Sequence, residues 1–190
     1  MNKSSYICIA NDIKLFLQIK YTYNYKPNKF FRTMTKEEGM KELCQLAAAW
    51  YGNSKQHAVF SAYCKWYGYN KLAEKFKEES EEEWKEANGA MNRLVELGCK
   101  PADLAEAIKT IEFPFCDEPK DMLMADLEGG TDESSIKALS EMLGAFADDY
   151  ITQKLIQEWI VDEKEHIDWN RQHRHIIEKV GYDNYLLEMM

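Results

Sequence analysis

Glu163-Lys164-Glu165-His166 places a carboxylate and an imidazole one helical turn apart, a spacing at which both side chains reach a single ion. Upstream, Glu79, Glu83 and Glu86 recur at intervals of three and four among Leu72, Phe76, Ala87, Ala90 and Leu94. Acids therefore fall where helical periodicity assigns the interior. An ionised carboxylate buried without a counter-charge costs several kcal/mol, so such acids are paired or bound to a cation. Taken singly, each pattern has a plainer reading. An E-x-x-H pair is common on acidic helix surfaces, and the run from Glu78 to Glu83 has the composition of a solvated face. The two patterns are joined by a second stripe of the same mixed kind: Leu155, Trp159, Glu163, His166, Asn170, His173 and Ile177.

These residues need long helices to bring them together, and from residue 35 onward the sequence supplies them. Prolines are few, no segment alternates with strand periodicity, and Ala, Leu, Glu, Lys and Met recur with a period near 3.6. Four long helices are predicted. The first spans 36–67 and stops at Gly68; the second spans 70–97 and stops at Gly98, with Pro101 preventing continuation. The short turn between them makes them antiparallel neighbours. From Cys99 to Pro119 the chain carries Pro101, Pro114 and Pro119, and a short helix is expected over 102–110 within a connection long enough to cross the bundle. The third and fourth long helices are expected over 120–147 and 149–179, with a short fifth helix from Tyr182 to Met190. Two helical hairpins joined by one long crossover give an all-α four-helix bundle of the ferritin-like connectivity. Carboxylate and imidazole pairs on two facing helices, with single carboxylates from the other two, are how such bundles hold two iron ions.

Bulk properties agree with one soluble domain. Of 190 residues, 45% are apolar and 30% charged, and no apolar run reaches the length of a membrane helix. The five cysteines, Cys8, Cys44, Cys64, Cys99 and Cys116, form no C-x-x-C pair. Their odd number and scatter argue against a disulfide framework and against a thiolate zinc site, which fits a reducing cytoplasm. Residues 1–33 carry six Lys or Arg against one acid, so the remainder carries −14 of a net −9. That remainder repels nucleic acid and attracts cations. Residues 1–33 show no sustained period and end just before Met34, which has the character of a chain start. They are read as an extension outside the fold: a disordered arm, a weak targeting segment or, the favoured reading, sequence upstream of the native start.

The segments Glu163 to Trp169 and Ile176 to Leu186 resemble the last helix and the tail of bacterioferritin, and Leu72 to Ser80 resembles the second helix of that family. The similarity extends from Met34 to Met190, with Met122 to Asp126 and Asp149-Tyr150 in register. The resemblance implies subunits assembled as a hollow shell of 24, an intrasubunit di-iron centre that oxidises Fe(II), and storage of ferric mineral in the cavity.

Carried over one by one, the family's ligand positions fall on Glu83, Glu163 and His166, with Glu86 where the second helix has a histidine. Two positions depart: the carboxylates of the first and third helices are replaced by Trp50 and Gly130, and Gly129-Gly130 is expected to loosen the third helix. The position of the family's axial haem methionine is Trp84, so no haem is expected. Glu83, Glu86, Glu163 and His166 are the expected metal ligands. A displaced set one or two turns away comprises Asn53 or His57, Glu79, Asp126, and Asn170 or His173; hydrogen-bonded polar residues in a hydrated bundle are the alternative for its histidines. His175 lies off the stripe and is given no role. The expected function is an iron-storage subunit with an incomplete di-iron site, in a homo-oligomer or beside a ferroxidase-competent partner subunit. The alternatives are an active ferroxidase with a rearranged centre and a scaffold that has lost iron chemistry.

Overall fold

A computed structural model describes residues 34–109, 116–129 and 133–190, and the extension 1–33, Pro114 and Gly130 lie outside them. Seven helices are present among the described residues: α1 (Lys36–Trp66), α2 (Asn70–Glu96), α3 (Pro101–Lys109), α4 (Pro119–Gly129), α5 (Ser134–Ala145), α6 (Tyr150–Val180) and α7 (Tyr182–Glu188).

Local chemistry sets the ends of the hairpins. Thr35 opens α1 with a reciprocal cap: its hydroxyl accepts from the Glu38 N–H at 3.2 Å while the Glu38 carboxylate accepts from the Thr35 N–H at 2.9 Å. Gly68 and Gly98 take φ of 88° and 91°, the left-handed conformation that lets the chain leave a helix. After each, the next N–H returns to a helix carbonyl, Tyr69 to Cys64 and Cys99 to Leu94, both at 2.9 Å.

The first hairpin is antiparallel, as its cross-links show: Ser61 donates to the Ala73 carbonyl at 2.7 Å, and farther along Ser54 donates to the Ser80 carbonyl at 2.8 Å. Ser80 returns the bond to the Ser54 carbonyl at 2.8 Å, so two hydroxyls lock the register of α1 and α2. At the far end of α2, Arg93 donates to Asp149 at 2.6 Å and to the Thr152 hydroxyl at 2.7 Å. Asp149 is also the cap of α6, accepting from the Thr152 N–H at 3.1 Å, so one contact joins the end of α2 to the start of α6. The tail folds back on the first hairpin: the Lys71 N–H donates to the Met189 carbonyl at 3.0 Å, and Tyr185 and Leu186 are buried.

Two expectations are corrected. The helix expected over 120–147 is two helices, α4 and α5, which fits the poor helix propensity of Gly129-Gly130, about 1 kcal/mol per glycine relative to alanine. On α6 the buried stripe shares Trp159, Asn170 and Ile177 with the expected one and differs in its other members. Thr152, Ile156, Trp159, Ile167, Asn170 and Ile177 are buried, while Leu155, Glu163, His166 and His173 line its edge.

The interior falls into two apolar clusters. One gathers Leu43, Ala47, Trp50, Ala90, Leu94 and Trp159 among others, and the second gathers Phe60, Leu72, Phe76, Met122, Leu123 and Ile177. Between them, on every long helix, the buried positions turn polar.

Candidate metal centre

The polar layer is supplied by four helices. α1 contributes Ser54, Gln56 and His57; α2 contributes Glu79, Glu83 and Glu86; α4 contributes Asp126; α6 contributes Glu163, His166 and Asn170. The reciprocal Ser54–Ser80 bonds lie within a turn of His57 and Glu83, which fixes the facing of these two side chains.

His57 is the hub. Its Nδ1 lies 2.7 Å from Glu83 Oε2 and its Nε2 lies 3.4 Å from Asp126 Oδ1, with all three side chains almost fully enclosed. Its ring stacks on Phe76 at 5.7 Å and 14°. Burial alone would strip the ring of its proton, but the field and hydrogen bonds of Glu83 and Asp126 outweigh burial and hold the imidazole well above its ordinary range. A charged ring donates from both nitrogens, one to each carboxylate. Asp126 Oδ2 is buried and has no hydrogen-bond partner among the described residues.

Glu79 is compensated separately. Lys75 pairs with it one turn away on α2, and His166 Nδ1 lies 3.2 Å from its Oε2. Burial pushes this carboxyl up, yet His166 and Lys75 overcome it and bring it down to about 2. For His166, burial again opposes the charge, and the Glu79 bond together with Asp126 and Glu163 raises the ring to about 9. Its Nε2 lies 3.0 Å from the Asn170 side-chain amide. His166 is thus turned towards Glu79 and Asn170. His173 is engaged elsewhere: its Nδ1 is 2.6 Å from the Tyr185 hydroxyl and its ring stacks on Trp169 at 3.9 Å.

Glu86 has a different environment. Burial comes first, and the fields of Glu83, Asp162, Glu163 and Glu82 add to it, pushing this carboxyl up to about 8. All four neighbours named are acids, and the nearby groove of about 280 Å³ is lined by Glu79, Glu82, Glu86, Asp162 and Glu165 together with Lys75, Lys85, His166 and Trp169. An acid held neutral by surrounding acids marks a place where a cation would be welcome.

Trp50 fills the position on α1 where the resemblance implies a carboxylate. It is buried and meets the Trp159 ring edge-on at 5.0 Å and 60°. Trp84 is 46% exposed and lies against Tyr51 at 5.1 Å, with the Lys55 ammonium on the Tyr51 ring. Asn53 is half-buried and His175 is exposed.

The structure therefore brings His57, Glu83 and Asp126 into direct contact and joins Glu79 to His166, while Glu86 and Glu163 interact through their charges. Among the described residues, no three His, Cys, Asp or Glu side chains are arranged to hold a metal ion as they stand. Sequence reasoning missed Lys75, Ser54 and Ser80. The four-residue spacing of Lys75 to Glu79 was the available signal for the first; nothing in the sequence marks two serines from different helices as partners.

The arrangement has counterparts among known proteins. A model of the ferritin-like domain matches residues 40–180. A bacterioferritin of Brucella melitensis is 31% identical over 121 residues, covering 63% of this chain and 71% of that protein. Bacterial ferritins of Neisseria meningitidis and Neisseria gonorrhoeae are each 32% identical over 124 residues, covering 65% of this chain and 77% of theirs. With the match spanning all four long-helix segments and the helical architecture in agreement, this chain belongs to the ferritin-like family, in the group that includes the bacterioferritins.

Proposed function

We propose that this protein is an iron-storage subunit of the ferritin-like type that binds Fe(II) as cargo at a reduced carboxylate site and lacks a complete di-iron centre. The observation that carries this reading is the acid cluster around Glu86, whose carboxyl is raised to about 8 by burial and by Glu83, Asp162, Glu163 and Glu82. The binding residues are Glu86 and Glu163, with Glu83 and His166 joining them when they leave His57 and Glu79. The donor set does not fit the full centre that the family implies. Trp50 has no ligating atom and packs on Trp159, and protein cations already satisfy Glu79, Glu83 and Asp126. Trp84 offers no axial sulfur for haem. No helix among the described residues is long and apolar enough to cross a membrane. The acidic surface disfavours nucleic acid, and we infer a cytoplasmic protein that forms a homo-oligomeric closed shell or co-assembles with a ferroxidase-competent subunit.

One observation favours a second reading, a rearranged and active centre. His57, Glu83 and Asp126 converge from three helices, and Asp126 Oδ2 is buried without a hydrogen-bond partner among the described residues. Displacing the His57 protons would leave a nitrogen beside a carboxylate oxygen on each side of the ring, Nδ1 with Glu83 and Nε2 with Asp126.

Stopped-flow oxidation of Fe(II) by the full chain and by Glu163→Ala, with iron retained per subunit measured afterwards, separates the readings. Retention that falls in Glu163→Ala, with oxidation no faster than in buffer for either protein, is the expected result. Rapid oxidation by the wild type supports the rearranged centre. No stoichiometric binding in either protein leaves a scaffold and rejects both.

A further inference from the structure

Away from the polar layer, two of the cysteines converge. Cys44 is buried on α1, and Cys99 stands just beyond the Gly98 turn at the end of α2, half-buried and packed on the apolar cluster that contains Cys44. Cys99 also raises the Cys44 thiol through its charge and side chain, which makes the two sulfurs near neighbours. Cys44 Sγ also points at the Asp103 carbonyl, 3.9 Å away in the first turn of α3, and Cys99 Sγ lies 3.9 Å from the Lys100 carbonyl. The backbone around the pair is held: the Cys99 N–H donates to Leu94 at 2.9 Å and the Asp103 N–H to Lys100 at 3.0 Å. A buried thiol on α1 and a half-buried one in the turn after α2 thus both face carbonyls at the start of α3, an arrangement that a scattered cysteine pattern does not reveal.

We propose that Cys44 and Cys99 form a reversible disulfide that clamps α1 to the turn entering α3 under oxidising conditions. The accessible thiol reacts first. The Cys99 sulfur attacks one oxygen of hydrogen peroxide, the O–O bond breaks, and water leaves, giving a sulfenic acid on Cys99. The Cys44 sulfur then attacks the Cys99 sulfur and displaces the hydroxyl, which leaves as water with the Cys44 proton. In sum, two thiols and one peroxide give one disulfide and two waters; the sulfurs lose two electrons and the peroxide gains them. A dithiol reductant returns both electrons and restores the thiols.

Cys44 suits the second role. Its burial, then the neighbouring Cys99 and Asp103, raise its pKa, so it is a poor nucleophile towards a dissolved oxidant but stands against the sulfur it must resolve. Cys64 lies fully buried in the other cluster, where burial pushes its thiol up to about 12. The clamp also has a mechanical consequence. α3 contains no fully buried residue and rests on α1 through Leu104, Ala107 and the Cys44–Asp103 contact. A covalent bond at its first turn fixes the least anchored helix of the crossover.

The test uses the full chain in its assembled state, reduced and then treated with stoichiometric hydrogen peroxide. Alkylation and non-reducing peptide mapping are expected to give a linked Cys44–Cys99 peptide, a loss of two alkylatable thiols, and full reversal by dithiothreitol. Thermal melting is expected to rise by about 10 °C on oxidation, as a cross-link closing a loop of this length implies. Cys99→Ser is expected to abolish the linked peptide, and Cys44→Ala to leave a Cys99 sulfenic acid that a dione probe captures. Recovery of both cysteines as freely alkylatable thiols after peroxide, or a linked peptide joining either of them to another cysteine, overturns the proposal.

Discussion

His57 Nδ1 sits 2.7 Å from Glu83 Oε2, and the same ring reaches Asp126 with its other nitrogen at 3.4 Å, so one imidazolium compensates two buried carboxylates. The protein thereby places its own cation in the polar layer. Removing that cation strands two acids in an enclosed site. His57→Leu is expected to lower unfolding stability at neutral pH by about 3–5 kcal/mol, the range for breaking a buried ion pair from one side. The triple replacement His57→Leu, Glu83→Gln, Asp126→Asn is expected to recover a large part of the loss. Urea denaturation of the variants checks both. A loss below about 1 kcal/mol in His57→Leu would show that the pair contributes no more than a surface ion pair.

Glu79 and His166 give a pH dependence with two limbs. His166 is raised to about 9 in the fold, so its contribution is complete below its ordinary value of 6.5 and is lost as the pH rises through about 9. Glu79 is lowered to about 2, so its contribution is present above its ordinary 4.5 and is lost as the pH falls through about 2. Glu79→Gln is expected to flatten both limbs of the melting temperature plotted against pH. Persistence of an unchanged alkaline limb in that variant would assign it to other groups, His57 first among them.

Glu86 runs the opposite way from a salt-bridged acid. Its carboxyl titrates at about 8 in the fold against 4.5 ordinarily, so the fold binds the proton more tightly and stability declines as the pH rises between these values. At neutral pH the side chain is largely a neutral acid, which an amide imitates. Glu86→Gln is expected to match the wild type near pH 4.5, to exceed it increasingly as the pH rises to about 8, and to weaken Fe(II) binding. Calorimetric titration with Fe(II) under anaerobic conditions, beside melting curves at the two pH values, measures all three. Unchanged Fe(II) affinity would remove Glu86 from the proposed site.

Much of this architecture is legible in the sequence, and the reasons are physical. Gly68 and Gly98 end the first two helices because the left-handed conformation there admits little else, and the acid-interrupted stripe of α2 is buried at Leu72, Phe76, Glu79, Ala87, Ala90 and Leu94 as its period requires. The turn of the α6 stripe was less visible. Over a helix from Tyr150 to Val180 a small error of phase moves His166 and His173 to the edge and brings Ile156 and Ile167 inward. Which acid meets which cation was not legible at all. His57 lies 2.7 Å from Glu83 and 3.4 Å from Asp126, acids on different helices, and the register held by Ser54 and Ser80 sets which acid of α2 it faces.

Trp50 supplies the last prediction. Its ring is buried and meets Trp159 edge-on at 5.0 Å, so truncation to alanine is expected to lower stability by about 3–5 kcal/mol, the usual range for a buried tryptophan. Replacement by glutamate is more informative, because it returns a carboxylate to the position where the resemblance places one. In the absence of metal it adds a further acid near a layer in which Glu86 is already held neutral by its neighbours, and stability is expected to fall below even the alanine variant. A divalent cation reverses the sign: it binds the folded state alone and stabilises by about 2.7 kcal/mol at a concentration one hundred times its dissociation constant. Melting curves of Trp50→Glu and the wild type across a Mn(II) titration are therefore expected to show the larger upward shift in the variant. Equal shifts would mean that Trp50 stands outside the cation site and that its exchange for a carboxylate is irrelevant to what Glu83, Glu86 and Glu163 bind.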